Sequence, residues 1–284
     1  LIFDNNSRLA YLYGILIGDF MESLYNALLQ IRLWILTFFK SRKLKNDAPQ
    51  EKSGYILKFY DEFDAGVLDR TKWESFPNWG RIHEDTPNIY CDDANTVVNT
   101  NLELIADNAD FIVSIGDEDY NIDYTIGLIE NYQYALQLDN SFGYYEMRCK
   151  IPKGFGMWPA FWLWPIDCWP PEIDIFEFWT DDECNWFNTN YHWLDRDDNH
   201  KQKPYTHHIL KTNLSDNFHL YGLEWTDKYL KFYFDGILIR KINVEEHSVM
   251  RLVINNGLDL EKIENDDLPS TLEVDWVRYW IKTK

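Results

Sequence analysis

The stretch that decides the fold is "WPPEIDIFEFW", Trp169 to Trp179, which sets Glu172, Asp174 and Glu177 among Ile, Phe and Trp. Its apolar content predicts a strand inside a sheet, because Ile and aromatic side chains suit a pleated, half-buried surface. Successive side chains of a strand alternate between faces, so Glu172 and Asp174 share one face while Ile173 and Ile175 share the other. Regular alternation would send Glu177 into the core with the isoleucines, and an unpaired ionised Glu there costs several kcal/mol. One extra residue between Asp174 and Glu177, a β-bulge, returns Glu177 to the face of Glu172.

With the bulge, the two Glu are effectively four residues apart, roughly 13 Å along the backbone at about 3.3 Å per residue. Side chains leaning together can reduce that to the roughly 5–5.5 Å between carboxyls that suits a retaining glycosidase. The bland alternative is a solvated sheet face with acids at alternate positions. Trp, Pro, Ile and Phe around every acid argue against it, since exposed strands are rarely so apolar.

The remaining chain is read around this strand. Aromatic residues make up 17% of the 284, with 13 Trp, enough for binding surfaces as well as a core. The formal net charge is −20; residues 1–50 carry six Lys/Arg against four Asp/Glu, which leaves 21 against 43 in residues 51–284. That field repels nucleic acid and disfavours densely sulfated polymers, so a neutral polysaccharide is the expected partner and nucleic acid is not. Arg81 and Lys153 are the two cations with which a local basic pocket could offset it. The four cysteines, Cys91, Cys149, Cys168 and Cys184, have no CxxC spacing. Cys149 alternates with charged residues in "YYEMRCKI" and reads as a buried thiol; for the others a disulfide stays open.

From Arg8 to Phe39, apolar residues recur at steps of three and four (Leu9, Leu12, Leu16, Phe20, Leu24, Leu28, Ile31, Ile35, Phe38), which predicts a helix. Asp19, Glu22 and Arg32 interrupt any long apolar run, so a spanning segment is not expected. The favoured role for residues 1–45 is oligomerisation or docking into a larger assembly, with membrane-surface association next. The chain starts at Leu1 and shows no secretory leader, which reads as a processed or trimmed product. The charged stretch 40–54 reads as a linker, giving a helical segment over 1–50 and a second unit over 51–284. In that unit "LELIAD", "YYEMRCKI", "FHLYGLEW", "LKFYFDGILIRKI" and "LEVDWVRYW" alternate as strands, and Asp235-Gly236 marks a tight hairpin. Many strands without intervening helices imply an all-β sandwich.

These residues resemble the family-16 glycoside hydrolases, whose active strand reads E-[IL]-D-x-x-E in its bulged form. Here that is Glu172-Ile173-Asp174-Ile175-Phe176-Glu177, and "FYDEFDAGVLDRTKW" (59–73), "GYYEMRCKIPKGFGMWPAFWLWP" (143–165), "NYHW" (190–193), "FHLYGLEWTDKYLKFYFDG" (218–236) and "VDWVRYW" (274–280) follow the same order. The resemblance covers residues 55–284. It implies a concanavalin A-like jelly roll and an endo-acting, retaining polysaccharide hydrolase, with a non-catalytic lectin-like binder or a transglycosylase as alternatives. By the same resemblance Glu172 is the nucleophile, Glu177 the general acid/base and Asp174 the acid between them. Trp158, Trp162, Trp169, His192 and Trp193 fall at positions that line the sugar cleft, although a core role for Trp162 and Trp164 is about equally compatible with their apolar run. Asp275 falls where several members ligate a structural calcium, while catalysis needs no cofactor. The implied address is extracellular, cell-surface or virion-borne. Phe176, Phe178 and "VINNGLDLEK" depart from the family pattern and leave the polysaccharide open.

Overall fold

In the computed structural model of the chain, residues 24, 27–32, 51–138, 141–181, 183–209, 212–244 and 248–283 are described. Among them, strands form two sheets, one of ten strands and one of seven, and the helix Tyr132–Ala135 is a single turn. The predicted strands are all present: Leu102–Ile115, Gly143–Lys150, His219–Trp225, Tyr229–Phe234, Ile237–Asn243 and Ser270–Lys282 belong to the larger sheet. Phe234 pairs with Ile237 across Asp235 (φ 47°) and Gly236 (φ 74°), the pair of left-handed residues that a two-residue hairpin of primed type requires. The Asp235 carboxylate also accepts from the Leu220 N–H at 2.9 Å, which ties the turn to the next strand.

The smaller sheet runs in the order His200–Gln202, Trp186–Leu194, Glu172–Glu177, Met157–Pro165, Met250–Leu258, Leu128–Glu130, with Tyr205–His208 also paired to Trp186–Leu194. The strand of acids thus lies between two full-length neighbours. Its core face is fixed by Ile173, Ile175 and Phe176, all buried with Phe161, Leu163, Met147, Cys149, Tyr221 and Val274. Phe176 meets Tyr221 of the opposite sheet at 4.5 Å between ring centroids. Burying each such side chain contributes roughly 1.5–3 kcal/mol, so this face cannot turn to solvent without large loss. The departures at Phe176 and Phe178 are thereby explained: both are core residues, and Phe178 packs on Phe187 and Tyr221.

Cys149 is fully buried as expected, and burial pushes its thiol well above the usual range. All four cysteines are free thiols. Residues 27–32 are helical; there Leu28 and Ile31 of the expected stripe are exposed, while Leu29 packs against the sandwich core. The rest of the expected helix between Arg8 and Phe39, apart from Leu24, lies outside the described residues, as does most of the linker. No described helix is long and apolar enough to cross a membrane.

Candidate active site

The bulge is present, and it is at the predicted place. Phe161 pairs with Phe176 and the next residue, Trp162, pairs with Asp174, so Ile175 has no partner on that side. On the other side Asn188 pairs with Glu177 and Asn190 with Asp174, two steps against three. The extra residue lets Ile175 and Phe176 both enter the core and brings Glu172, Asp174 and Glu177 to the opposite face.

Each acid has an aromatic or imidazole neighbour from a flanking element. Trp158 Nε1 donates to Glu177 Oε1 at 3.2 Å, and the Trp158 ring stacks on Trp179 at 5.2 Å. Trp169 Nε1 donates to Glu172 Oε2, and its ring lies parallel to Trp164. His192 pairs with Glu172 across the ladder and places Nε2 3.4 Å from Asp174 Oδ2.

Burial raises all three carboxyls. Glu177 is pushed up to about 7, first by burial and then by the charge of Glu172, with the Trp158 N–H acting in the opposite direction. Glu172 is pushed up to about 8, first by burial and then by the charge of Asp174, opposed by His192 and the Trp169 N–H. Asp174 is held well above the usual carboxylate range by burial and the charge of Glu177, and it shares a hydrogen bond with Glu172. Asp174 is 1% exposed, the least of the three, and the hydrogen bond it shares with Glu172 acts to raise Glu172 and to lower Asp174. Three carboxyls raised by burial and by one another cannot all be ionised near neutral pH, so the site holds both a protonated acid and a carboxylate, the two states that acid–base chemistry needs.

Beside the acids is a cleft of about 580 Å³ lined by Trp79, Trp158, Trp162, Trp164, Trp169 and Glu172 among others. Trp162, for which core and cleft roles were balanced, is in this wall, its Nε1 donating to Asn255 Oδ1 at 2.8 Å. Asn255 belongs to "VINNGLDLEK", which forms the end of strand Met250–Leu258. Gly257 lies opposite Trp158 there, and a Cβ would come within 3.0 Å of the Trp158 carbonyl oxygen, so the close approach favours glycine.

Trp193 is the residue that the expectation misplaced. It stacks on Tyr191 at 5.2 Å and packs against the core, because adjacent residues of a strand face opposite sides and His192 takes the cleft side. Asp275 is the extra residue of a second bulge, on the larger sheet, and its carboxylate accepts from Arg148. Among the described residues, the one group of three ligand-type side chains close enough to share an ion is Glu172, Asp174 and His192, with atoms within 4.8 Å of one another. Three ligands fall short of the six to eight oxygens that calcium takes.

Trp79 is a cleft residue that sequence reading missed. It lies 5.3 Å from Trp164 and 6.3 Å from Trp162 between ring centroids. Its loop is anchored by the buried Arg251, which donates to Asn78 Oδ1 and to the Pro165 carbonyl, pairs with Glu130 at 2.7 Å and sits over the Trp79 ring. The available signal was a Trp between Pro77 and Gly80, in a stretch without strand periodicity.

The comparisons with known proteins agree with this geometry. The sequence model for glycosyl hydrolases family 16 matches residues 94–276. The chain is similar to the endo-1,3-1,4-beta-glycanases ExsH and EglC of Rhizobium meliloti (strain 1021). It is 32% identical to ExsH over 136 residues, 47% of this chain and 28% of that protein. With EglC the identity is 33% over 145 residues, 50% of this chain and 30% of that protein. The chain thus matches less than a third of the length of either relative. In three dimensions it is similar to SCLam, described as a non-specific endo-beta-1,3(4)-glucanase, with a TM-score of 0.68 and 25% identity over 82% of this chain and 93% of that one. The family match spans most of the sandwich and has the bulged strand of acids inside it: the chain belongs to glycosyl hydrolases family 16.

Proposed function

We propose that this chain is an endo-acting glycosidase that hydrolyses internal β-glycosidic bonds of a neutral polysaccharide with retention, its substrate a β-1,3- or mixed β-1,3-1,4-glucan. The observation that carries the reading is the trio of acids on one face of a bulged strand, each raised by burial, beside a wall of indoles. Glu172 attacks the anomeric carbon as the anion while Glu177, protonated below about pH 7, gives its proton to the leaving oxygen. Glu177 then takes a proton from water, which attacks the glycosyl ester and releases Glu172 with the original configuration. The Trp158 N–H holds one Glu177 oxygen and leaves the other to carry the proton. Indole faces bind sugar rings by apolar contact, which suits an uncharged chain.

The two cations that could have favoured a sulfated substrate are engaged elsewhere. Arg81 lies in the cleft wall but pairs with Asp93 at 2.8 Å and donates to the Cys91 carbonyl at 2.7 Å. Lys153 pairs with Asp216 at 3.2 Å and is not part of that wall. Docking or oligomerisation through residues 1–45 and an extracellular, cell-surface or virion-borne address remain part of the proposal, on the strength of the apolar stripe and a polysaccharide substrate.

The test is to incubate the protein with laminarin, mixed-linkage glucan, agar, carrageenan and bacterial capsular polysaccharides and to size the products. Short oligosaccharides from a neutral glucan are expected. Products from a sulfated galactan alone would overturn the substrate, and binding of a glucan without cleavage would favour a lectin-like role.

A further inference from the structure

His192 has a hydrogen-bond environment that fixes its proton. Asn190 Oδ1 accepts from the Tyr191 N–H at 2.9 Å and the Lys203 N–H at 3.2 Å, so the orientation of this amide is set by two backbone donors. Its Nδ2 therefore donates, to Gln202 Oε1 at 3.3 Å and to His192 Nε2 at 2.8 Å. A ring nitrogen that accepts carries no proton, so the neutral His192 ring is protonated on Nδ1. That nitrogen lies 2.9 Å from His200 Nε2, which must accept. The His200 ring is parallel to His192 within 3° and packs 4.7 Å from the Trp169 ring, whose N–H holds Glu172.

We propose that His200 is a positioning residue for the catalytic acids: it accepts a hydrogen bond from His192 Nδ1–H, so that the neutral ring presents an unprotonated Nε2, held by Asn190, beside Asp174, and it supports the indole bound to Glu172. The arrangement gives a reason for the buried Asp174 Oδ2, which has no hydrogen-bond partner and lies 3.4 Å from a nitrogen that is itself an acceptor. Were Nε2 to carry the proton, it would donate to Asp174 Oδ2 and stabilise Asp174 as the anion, drawing charge to the acid between the two Glu. His200 itself is exposed and lies across from Leu194 at the edge of the sheet, so replacing it leaves the core intact.

The inference rests on the proposed hydrolase for its kinetic arm only. The first arm is nitrogen-15 NMR of the free, full-length protein labelled in histidine, which needs no substrate. His192 is expected as the neutral Nδ1–H tautomer, and a proton on Nε2 in the wild type would overturn the proposal. The second arm compares H200F, which keeps a ring against Trp169 but cannot accept, with H200Q, which offers an amide oxygen. On the glucan that the wild type cleaves, H200F is expected to lower kcat about 10-fold with KM within about twofold, as for loss of one positioning hydrogen bond. H200Q is expected to stay within about threefold of wild type. Wild-type kcat in H200F would overturn the role, as would equal losses in both variants. A wild type that cleaves no polysaccharide at all would overturn the hydrolase reading, and the NMR arm would still decide the tautomer.

Discussion

Glu172 and Glu177, five positions apart in one strand, lie on the same face of the sheet because Ile175 between them has no cross-strand partner. Deleting Ile175 removes the extra residue, so Glu172, Asp174 and Glu177 would fall on one face by regular alternation alone; the deletion is expected to keep the acids on the cleft face and to cost a few kcal/mol of stability through the loss of a buried side chain. Ile175→Val, which keeps the count, should cost only about 1 kcal/mol of stability and leave turnover within about threefold. Thermal unfolding and reducing-sugar release on both variants check this, and a deletion variant as stable as the wild type would show that Ile175 adds nothing to the core.

Glu172→Gln is expected to lower turnover by at least about 10³-fold while the circular dichroism and melting curve stay those of a folded chain. An amide keeps the shape and the Trp169 contact but cannot form the glycosyl ester. Residual activity above about one per cent, a loss far smaller than removal of a nucleophile causes, would remove Glu172 from that role.

Glu177 should set the high-pH limb of activity. Its carboxyl is raised to about 7, so kcat/KM is expected to fall as pH rises through that region and the acid loses its proton. On an aryl glycoside whose leaving group needs no proton, Glu177→Gln should retain the first, glycosylation step and show a burst of phenol. The same first minutes of reaction, followed by proton NMR on the wild type, should show a product of retained configuration. Inversion would place the carboxyls too far apart for this mechanism.

The same shift affects stability. The folded chain keeps a proton on Glu177 up to about 7, while the unfolded chain releases it near 4.5. Its stabilising contribution is therefore complete below about 4.5 and is lost as pH rises through 7. Glu177→Gln has no such loss, so relative to wild type it should gain on the order of 3 kcal/mol between pH 4 and pH 8. Denaturant melts at the two pH values measure it; a difference independent of pH would mean that burial does not raise this acid.

Trp79→Ala should raise KM for a glucan roughly 5- to 30-fold with kcat within about threefold, since the indole forms cleft wall without contacting the acids. A fall in kcat with KM unchanged would place Trp79 at the reacting sugar instead.

The sequence by itself determined the sandwich, the strand of acids and the position of the bulge, because these follow from local rules. Period-two alternation sorts faces, Asp235-Gly236 makes a turn, and an acid that falls in phase with Ile173 and Ile175 demands an extra residue. It also identified Cys149 as buried from alternation alone. Only the tertiary structure decided which aromatic residues reach the cleft. Trp193 and His192 are neighbours in sequence and lie on opposite faces, while Trp79 and Trp164 meet from segments far apart along the chain. Partnership between distant groups, Asp275 with Arg148 or His192 with His200, is likewise invisible to periodicity. A pattern along one strand fixes the direction of a side chain, whereas what waits there depends on which other strands the core has brought alongside.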